Sequence, residues 1–195
     1  MTHKILAKHY FLDSLDLFHR FRAHWEEQPR KSSRVKSFVD LLMACECMLK
    51  SKCFMAKQHI PLIEAYKEIK TLGHNIERLA TVANQTFPSE VNVRACQYFG
   101  EFSVGLRYSV DAHEYFFPMG KPTQSGRRPY SDTLGDTAWI KSASSTVEEL
   151  IQWGKESFNG EVGDDIEAIL NEGMELEAAI QPRQSRRLKR SKADT

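Results

Sequence analysis

The stretch VKSFVDLLMACECMLKSKCFMA, from Val35 to Ala56, decides the fold class. Val35, Phe38, Leu42, Cys45, Leu49 and Ala56 recur in it at steps of three, four, three, four and seven. That spacing is one face of an α-helix. A single charge disturbs the face. At about 100° per residue, Glu46 projects within about 40° of Val39, Leu42 and Cys53. A carboxylate inside an apolar arc is costly unless it is paired or hydrogen-bonded. The sequence therefore demands a donor for Glu46 elsewhere in the chain.

On the N-terminal side, Phe11, Leu15, Phe18 and Trp25 follow at helical spacing, and Tyr10, Leu17 and Phe21 widen the stripe. They predict a first helix from about Thr2 to Glu27 whose aromatic side faces the core. Pro29 and the polar run Arg30–Arg34 end it, and Ser32 or Ser33 is the expected N-cap of the central helix. On the C-terminal side, Pro61 opens a short helix, LIEAYKEIK, which Gly73 stops. Asn75 then caps a helix lined by Ile76, Leu79, Ala83 and Phe87. After a break at Phe87-Pro88-Ser89-Glu90, the positions Val91, Ala95, Phe99, Phe102 and Leu106 predict one helix reaching Leu106. Pro118 to Asp136 has no period and is expected to be a functional or mobile loop. Ile140, Ala143, Val147 and Leu150 mark a helix begun near Asp136, and Ile166, Ile169, Leu176 and Ile180 a final acidic one.

These elements predict an all-α protein: a single helical bundle with one long irregular loop, an acidic C-terminal helix and a basic disordered tail. Residues 1–30 supply an N-terminal helix packing on the bundle. Residues 31–157 form its core, with the loop at 118–136; residues 158–182 are the acidic helix and 183–195 the tail.

Composition narrows the classes. A chain of 195 residues suits one well-buried core. It contains no apolar run of about 18 residues and no leader-like N-terminus, so no membrane association is expected. Four cysteines without C-x-x-C spacing read as reduced thiols of a cytoplasmic protein. Neither they nor the seven histidines have finger-like spacing, so no metal and no cofactor is expected. A net charge of +1 gives no global nucleic-acid signal, but the charge is unevenly placed. Glu156 to Pro182 holds eight acidic residues and no basic one, whereas Arg183 to Lys192 holds six basic residues and no acidic one. The motifs of P-loop and dinucleotide enzymes, serine hydrolases and zincins are missing, since His113-Glu114 lacks the second histidine of H-E-x-x-H.

Three short pieces occur in a telling order: Glu46, Leu49 and Lys50 in the central helix; Gly73, His74, Asn75 and Ile76; and Leu106, Arg107 and Tyr108. Together they resemble the HEPN superfamily (higher eukaryotes and prokaryotes nucleotide-binding domain), over roughly Val35 to Tyr108. Asn75 departs from the family's usual Asp, which keeps a capping acceptor and removes a charge. The resemblance implies a small helical bundle, a homodimer, and RNA or nucleotide handling in microbial defence or toxin–antitoxin modules, where a protein partner from the same module is also expected. It also offers Arg107 as the partner of Glu46, since a guanidinium matches a carboxylate with a fork of donors. A polar centre of Glu46, Lys50, His74, Asn75, Arg107 and Tyr108 follows as the candidate ligand site.

Nucleases of that superfamily carry an Arg followed at four to six residues by His, acting without metal. Arg107 and His113 match this spacing, the arginine to hold the phosphate and the histidine as acid or base. Tyr108 stands where those nucleases place Asn, Asp or His. The favoured expectation is a non-catalytic RNA- or nucleotide-binding or protein-interaction module. The alternatives are a metal-independent endoribonuclease and a purely structural helical scaffold. Arg127, Arg128 and Tyr130 in the loop, and Arg186, Arg187, Lys189 and Arg190 in the tail, are further candidate nucleic-acid contacts. The tail has an equal alternative, which is to fold back over the acidic Glu161–Glu177 face.

Overall fold

The computed structural model describes residues 3–27, 30–117 and 127–158. The expected acidic helix and basic tail, and the first half of the expected loop, lie outside these residues. Among them are seven α-helices, two 3-10 turns and no strand, so the protein is an all-α bundle. The helices are α1 (His3–Trp25), α2 (Lys31–Ala56), α3 (Leu62–Leu72), α4 (Ile76–Thr86), α5 (Glu90–Phe99), α6 (Ser109–Phe116) and α7 (Thr137–Phe158). The 3-10 turns are Val104–Arg107 and Tyr130–Asp132.

Helix α2 is the axis of the bundle. Phe38, Leu41, Cys45, Leu49 and Phe54 are each wholly buried, because α1, α4, α5 and α7 pack around it. The α1–α2 contact is the most extensive and is pinned by two buried serines. Ser14 Oγ donates to the Ala44 carbonyl (2.8 Å) and Ser51 Oγ to the Ala7 carbonyl (2.7 Å), so each hydroxyl is satisfied inside the core. The aromatic stripe of α1 is core, as its period predicts: Phe11, Phe18 and Phe21 are buried.

Local signals place most boundaries. Gly73 ends α3 at φ +62°, a conformation that disfavours any side chain. Asn75 Oδ1 accepts from Arg78 N (2.9 Å) and Ser89 Oγ from Val91 N (3.2 Å), each satisfying an open donor of a helix start. Asp136 Oδ1 does the same for α7 through Ala138 N (2.8 Å).

Three expectations are corrected. Helix α2 begins at Lys31, with Arg30 and not a serine at its cap position. A tertiary contact holds this earlier turn: Lys31 Nζ lies 5.8 Å from the centre of the Phe117 ring and 5.5 Å from that of Tyr130. The helix expected to reach Leu106 ends at Phe99, and the chain then forms a 3-10 turn and a new helix, α6. The apolar period runs through this break because the turn faces the same core. Phe99 and Phe102 both pack on Phe38, at 6.1 and 5.0 Å between ring centres. Finally, residues 127–136 are not a loose loop, since Tyr130, Thr133 and Leu134 are buried.

At Gly154, α7 packs directly against the core. A Cβ there would stand 2.7 Å from Phe11 Cε2 and 3.0 Å from Met48 Cε. Gly→Ala inside a helix ordinarily stabilises by about 1 kcal/mol. Here overpacking wins. Gly154→Ala is expected to lower stability by roughly 1–3 kcal/mol, read from urea unfolding. A stabilised variant would refute the close packing.

Candidate functional site

The polar residues singled out along the sequence separate into two places on α2. Glu46 is 5% exposed, and its partners are Lys50 and His74. Lys50 Nζ donates to Oε1 at 2.6 Å, from one turn further along the same helix. His74 Nδ1 lies 2.9 and 3.0 Å from the two carboxylate oxygens. A carboxylate only accepts, so Nδ1 carries the proton. The expected Glu46–Arg107 pair is therefore corrected. Arg107 Nη2 instead donates to the hydroxyl of Tyr108 (2.8 Å), with the guanidinium 4.8 Å from that ring's centre.

The reason is the early end of α5. The turn Val104–Arg107 lies beside the first turns of α2, where Arg107 shares cavities with Val35 and Lys36. Lys36 and Glu46 are ten residues apart on one helix, about 15 Å along its axis. Glu46, Lys50, His74 and the capping Asn75 thus form a tie between α2 and the α3–α4 turn, while Arg107, Tyr108 and His113 lie elsewhere.

Around Arg107 two hollows adjoin and share Lys36 and Arg107. The first is a slot of about 180 Å³ with apolar walls from Val35, Leu106, Ala112 and Phe117, and His113 at its edge. The second is wider, about 610 Å³, between α1 and α2, with Arg20, His24, Asp40 and Met43 in its lining. Asp40 is tied to Arg20 at 2.9 Å. Its carboxyl is pushed above the ordinary range by burial, against the pull of Arg20 and His24. Among the described residues no carboxylate pairs with Lys36 or Arg107. Two cations without a carboxylate partner therefore stand beside an apolar slot, an arrangement that suits an anion carrying a ring.

The loop arginines are already engaged. Arg128 Nε lies 3.0 Å from Glu101 Oε1 and its Nη2 donates to the Gln97 carbonyl, while Arg127 covers the Tyr115 ring at 5.1 Å. Tyr130 is buried against Phe116 and Phe117, so it presents no ring for stacking on a base. Arg186, Arg187, Lys189 and Arg190 lie outside the described residues.

Sequence reading passed over Lys36, Arg20 and His24, which look like ordinary surface charges until two helices and a turn bring them together. It also passed over Lys52, for which a signal existed. At 100° per residue Lys52 projects about 20° from Cys45, deep in the apolar face. It is 2% exposed, and its ammonium donates to Asn92 Oδ1 (2.9 Å) and lies 4.9 Å from the centre of the Trp153 ring. Asn92 is held in turn by Asn84 Oδ1 and the Phe87 carbonyl. Burial brings the Lys52 pKa down to about 8, with Cys45 and Cys53 opposing.

Comparison of the chain with protein-family models, curated proteins and solved structures gives no match. Among the described residues no helix is long and apolar enough to cross a membrane, and no group of His, Cys, Asp or Glu could hold a metal ion.

Two predictions follow from the buried charges. Removing the carboxylate in Glu46→Ala is expected to cost about 2 kcal/mol in urea unfolding. The cost is moderate because His74, with 61% of its side chain exposed, can turn to water. An unchanged midpoint would contradict the tie. For Lys52, the unfolded chain holds the proton up to about pH 10.5 and the native protein releases it near 8. Between these values the unfolded state binds more protons, so this residue makes stability rise with pH. The buried thiols of Cys47 and Cys53, pushed up to about 12 by burial, act in the opposite sense above their ordinary value of 9.0. The difference between wild type and Lys52→Met isolates the lysine. The variant is expected to be more stable at pH 7, with its advantage shrinking from pH 8 to 10.5. An advantage that does not vary with pH would refute a native-state proton release.

Proposed function

We propose that this chain is a helical binding module for single-stranded RNA or a nucleotide, seated where the 3-10 turn Val104–Arg107 meets α2 and α6. One observation carries the reading: an apolar slot and a wider cationic hollow adjoin and share Lys36 and Arg107. A base fits apolar walls, and two cations without carboxylate partners suit phosphates. Tyr108, 56% exposed, holds the Arg107 guanidinium through its hydroxyl and its ring. The resemblance of the sequence to the HEPN superfamily supports the same ligand class. With it come the homodimer and the defence-module partner, while the cytoplasmic setting rests on the four cysteines without C-x-x-C spacing.

A second reading has its own support. His113 lines the same slot as Arg107, so the two residues of the nuclease spacing reach one cavity. In that reading Arg107 stabilises charge developing on the phosphate, and His113 exchanges a proton with the ribose hydroxyl or the leaving oxygen.

Binding of a labelled single-stranded oligouridylate, followed by fluorescence anisotropy, tests both. Arg107→Ala and Lys36→Ala are each expected to weaken binding about tenfold and to flatten its salt dependence by about one counterion. Lys67→Ala, on the exposed side of α3, leaves it unchanged. Equal affinities across all four proteins would remove the proposed seat. Cleavage of the same RNA that His113→Ala abolishes would convert the module into a nuclease.

A further inference from the structure

The wider hollow also bears on the C-terminal part of the chain. Two strongly charged segments follow Phe158 in the sequence, and their signs are opposite. Residues 161–177 carry seven acidic residues and no basic one, while residues 183–192 carry six basic residues and no acidic one. The hollow is lined by Arg20, His24, Lys36 and Arg107, and its single carboxylate, Asp40, is taken up by Arg20. Only the first segment complements it; the second is repelled.

Reach agrees with charge. Phe158 stacks on Phe11 of α1 with 5.3 Å between ring centres. From Phe11 to Arg20 and His24 is about 14 to 20 Å along α1 at 1.5 Å per residue. Six residues can span at most about 20 Å, so the length of chain between Phe158 and Asp164 is sufficient to reach the hollow. Because the segment is tethered, its local concentration at the hollow is in the millimolar range for a short connection, so even weak ion pairing gives substantial occupancy.

We propose that the acidic segment 161–177 of the same chain docks in the cationic hollow between α1 and α2 and shields it from anionic ligands. The segment is the hollow's resident counter-charge, and a ligand with several phosphates displaces it. The shielding, though not the docking, rests on the anionic-ligand reading given above.

Carbodiimide cross-linking of the full chain tests the docking without any ligand, since it joins a carboxylate to a lysine amine in contact with it. The expected product is a monomer in which Lys36 is linked to a carboxylate of residues 161–177, identified by peptide mass spectrometry. The triple variant Asp164→Asn, Asp165→Asn, Glu167→Gln is expected to lose most of that product. The same variant should bind the oligouridylate about fivefold more tightly than wild type at low ionic strength, a difference that salt removes. Carboxylates captured by Lys189 or Lys192 in place of Lys36 would overturn the docking, as would products found only in linked dimers. An affinity unchanged by the triple variant would overturn the shielding. If Lys36 is linked but neither protein binds the oligouridylate, the docking stands and the proposed ligand class falls.

Discussion

Burial of α2 on nearly every side is the constraint from which the rest of the structure follows. Of its 26 residues, 15 are buried, and they include Ser37, Glu46, Ser51 and Lys52 beside the apolar ones. Along its middle a helix wrapped in this way has little solvent face on which to leave polar groups, so Glu46, Ser51 and Lys52 find partners inside the protein. Ser51 reaches the backbone of α1, Glu46 reaches Lys50 and the turn before α4, and Lys52 reaches Asn92 on α5 and the indole on α7. The same polar atoms that would destabilise a free helix thereby fix the angular setting of four neighbours.

The two buried charges are handled differently. Glu46 sits at the edge of the core, where an ammonium and an imidazole that both touch solvent supply its two partners. Lys52 has an amide oxygen and an aromatic face but no carboxylate, which is weak compensation for a desolvated ammonium. Its two partners nonetheless tie α2 to both α5 and α7. At the other end of α2 the balance reverses. There Lys36 and Arg107 are exposed cations with no paired carboxylate among the described residues, beside an apolar slot, and such imbalance is a feature of binding surfaces and not of cores.

What could be read along the sequence was whatever depends on neighbours within one helix. The amphipathic periods of α1, α2, α4 and α7 gave those helices, and Gly73, Asn75 and Asp136 gave boundaries through their own backbone chemistry. The Glu46–Lys50 contact was legible in the same way, as an i, i+4 pair, whereas the distant Arg107 was offered by the family resemblance. The break after Phe99 was hidden because Phe102 and Leu106 stay apolar for a different reason: they face the core from a turn and not from a helix.

By itself, then, the sequence determined the all-α class, the buried aromatic stripe and the presence of a charge needing a partner within the core, since each rests on spacing along a helix. Only the tertiary structure decided which partner that charge has, that Lys52 is equally buried, and that Arg107 and His113 meet Lys36 around a slot. The last of these depends on where a four-residue turn lays Arg107 against α2. Chain direction after a helix break is set by packing against distant residues, and no local period records it.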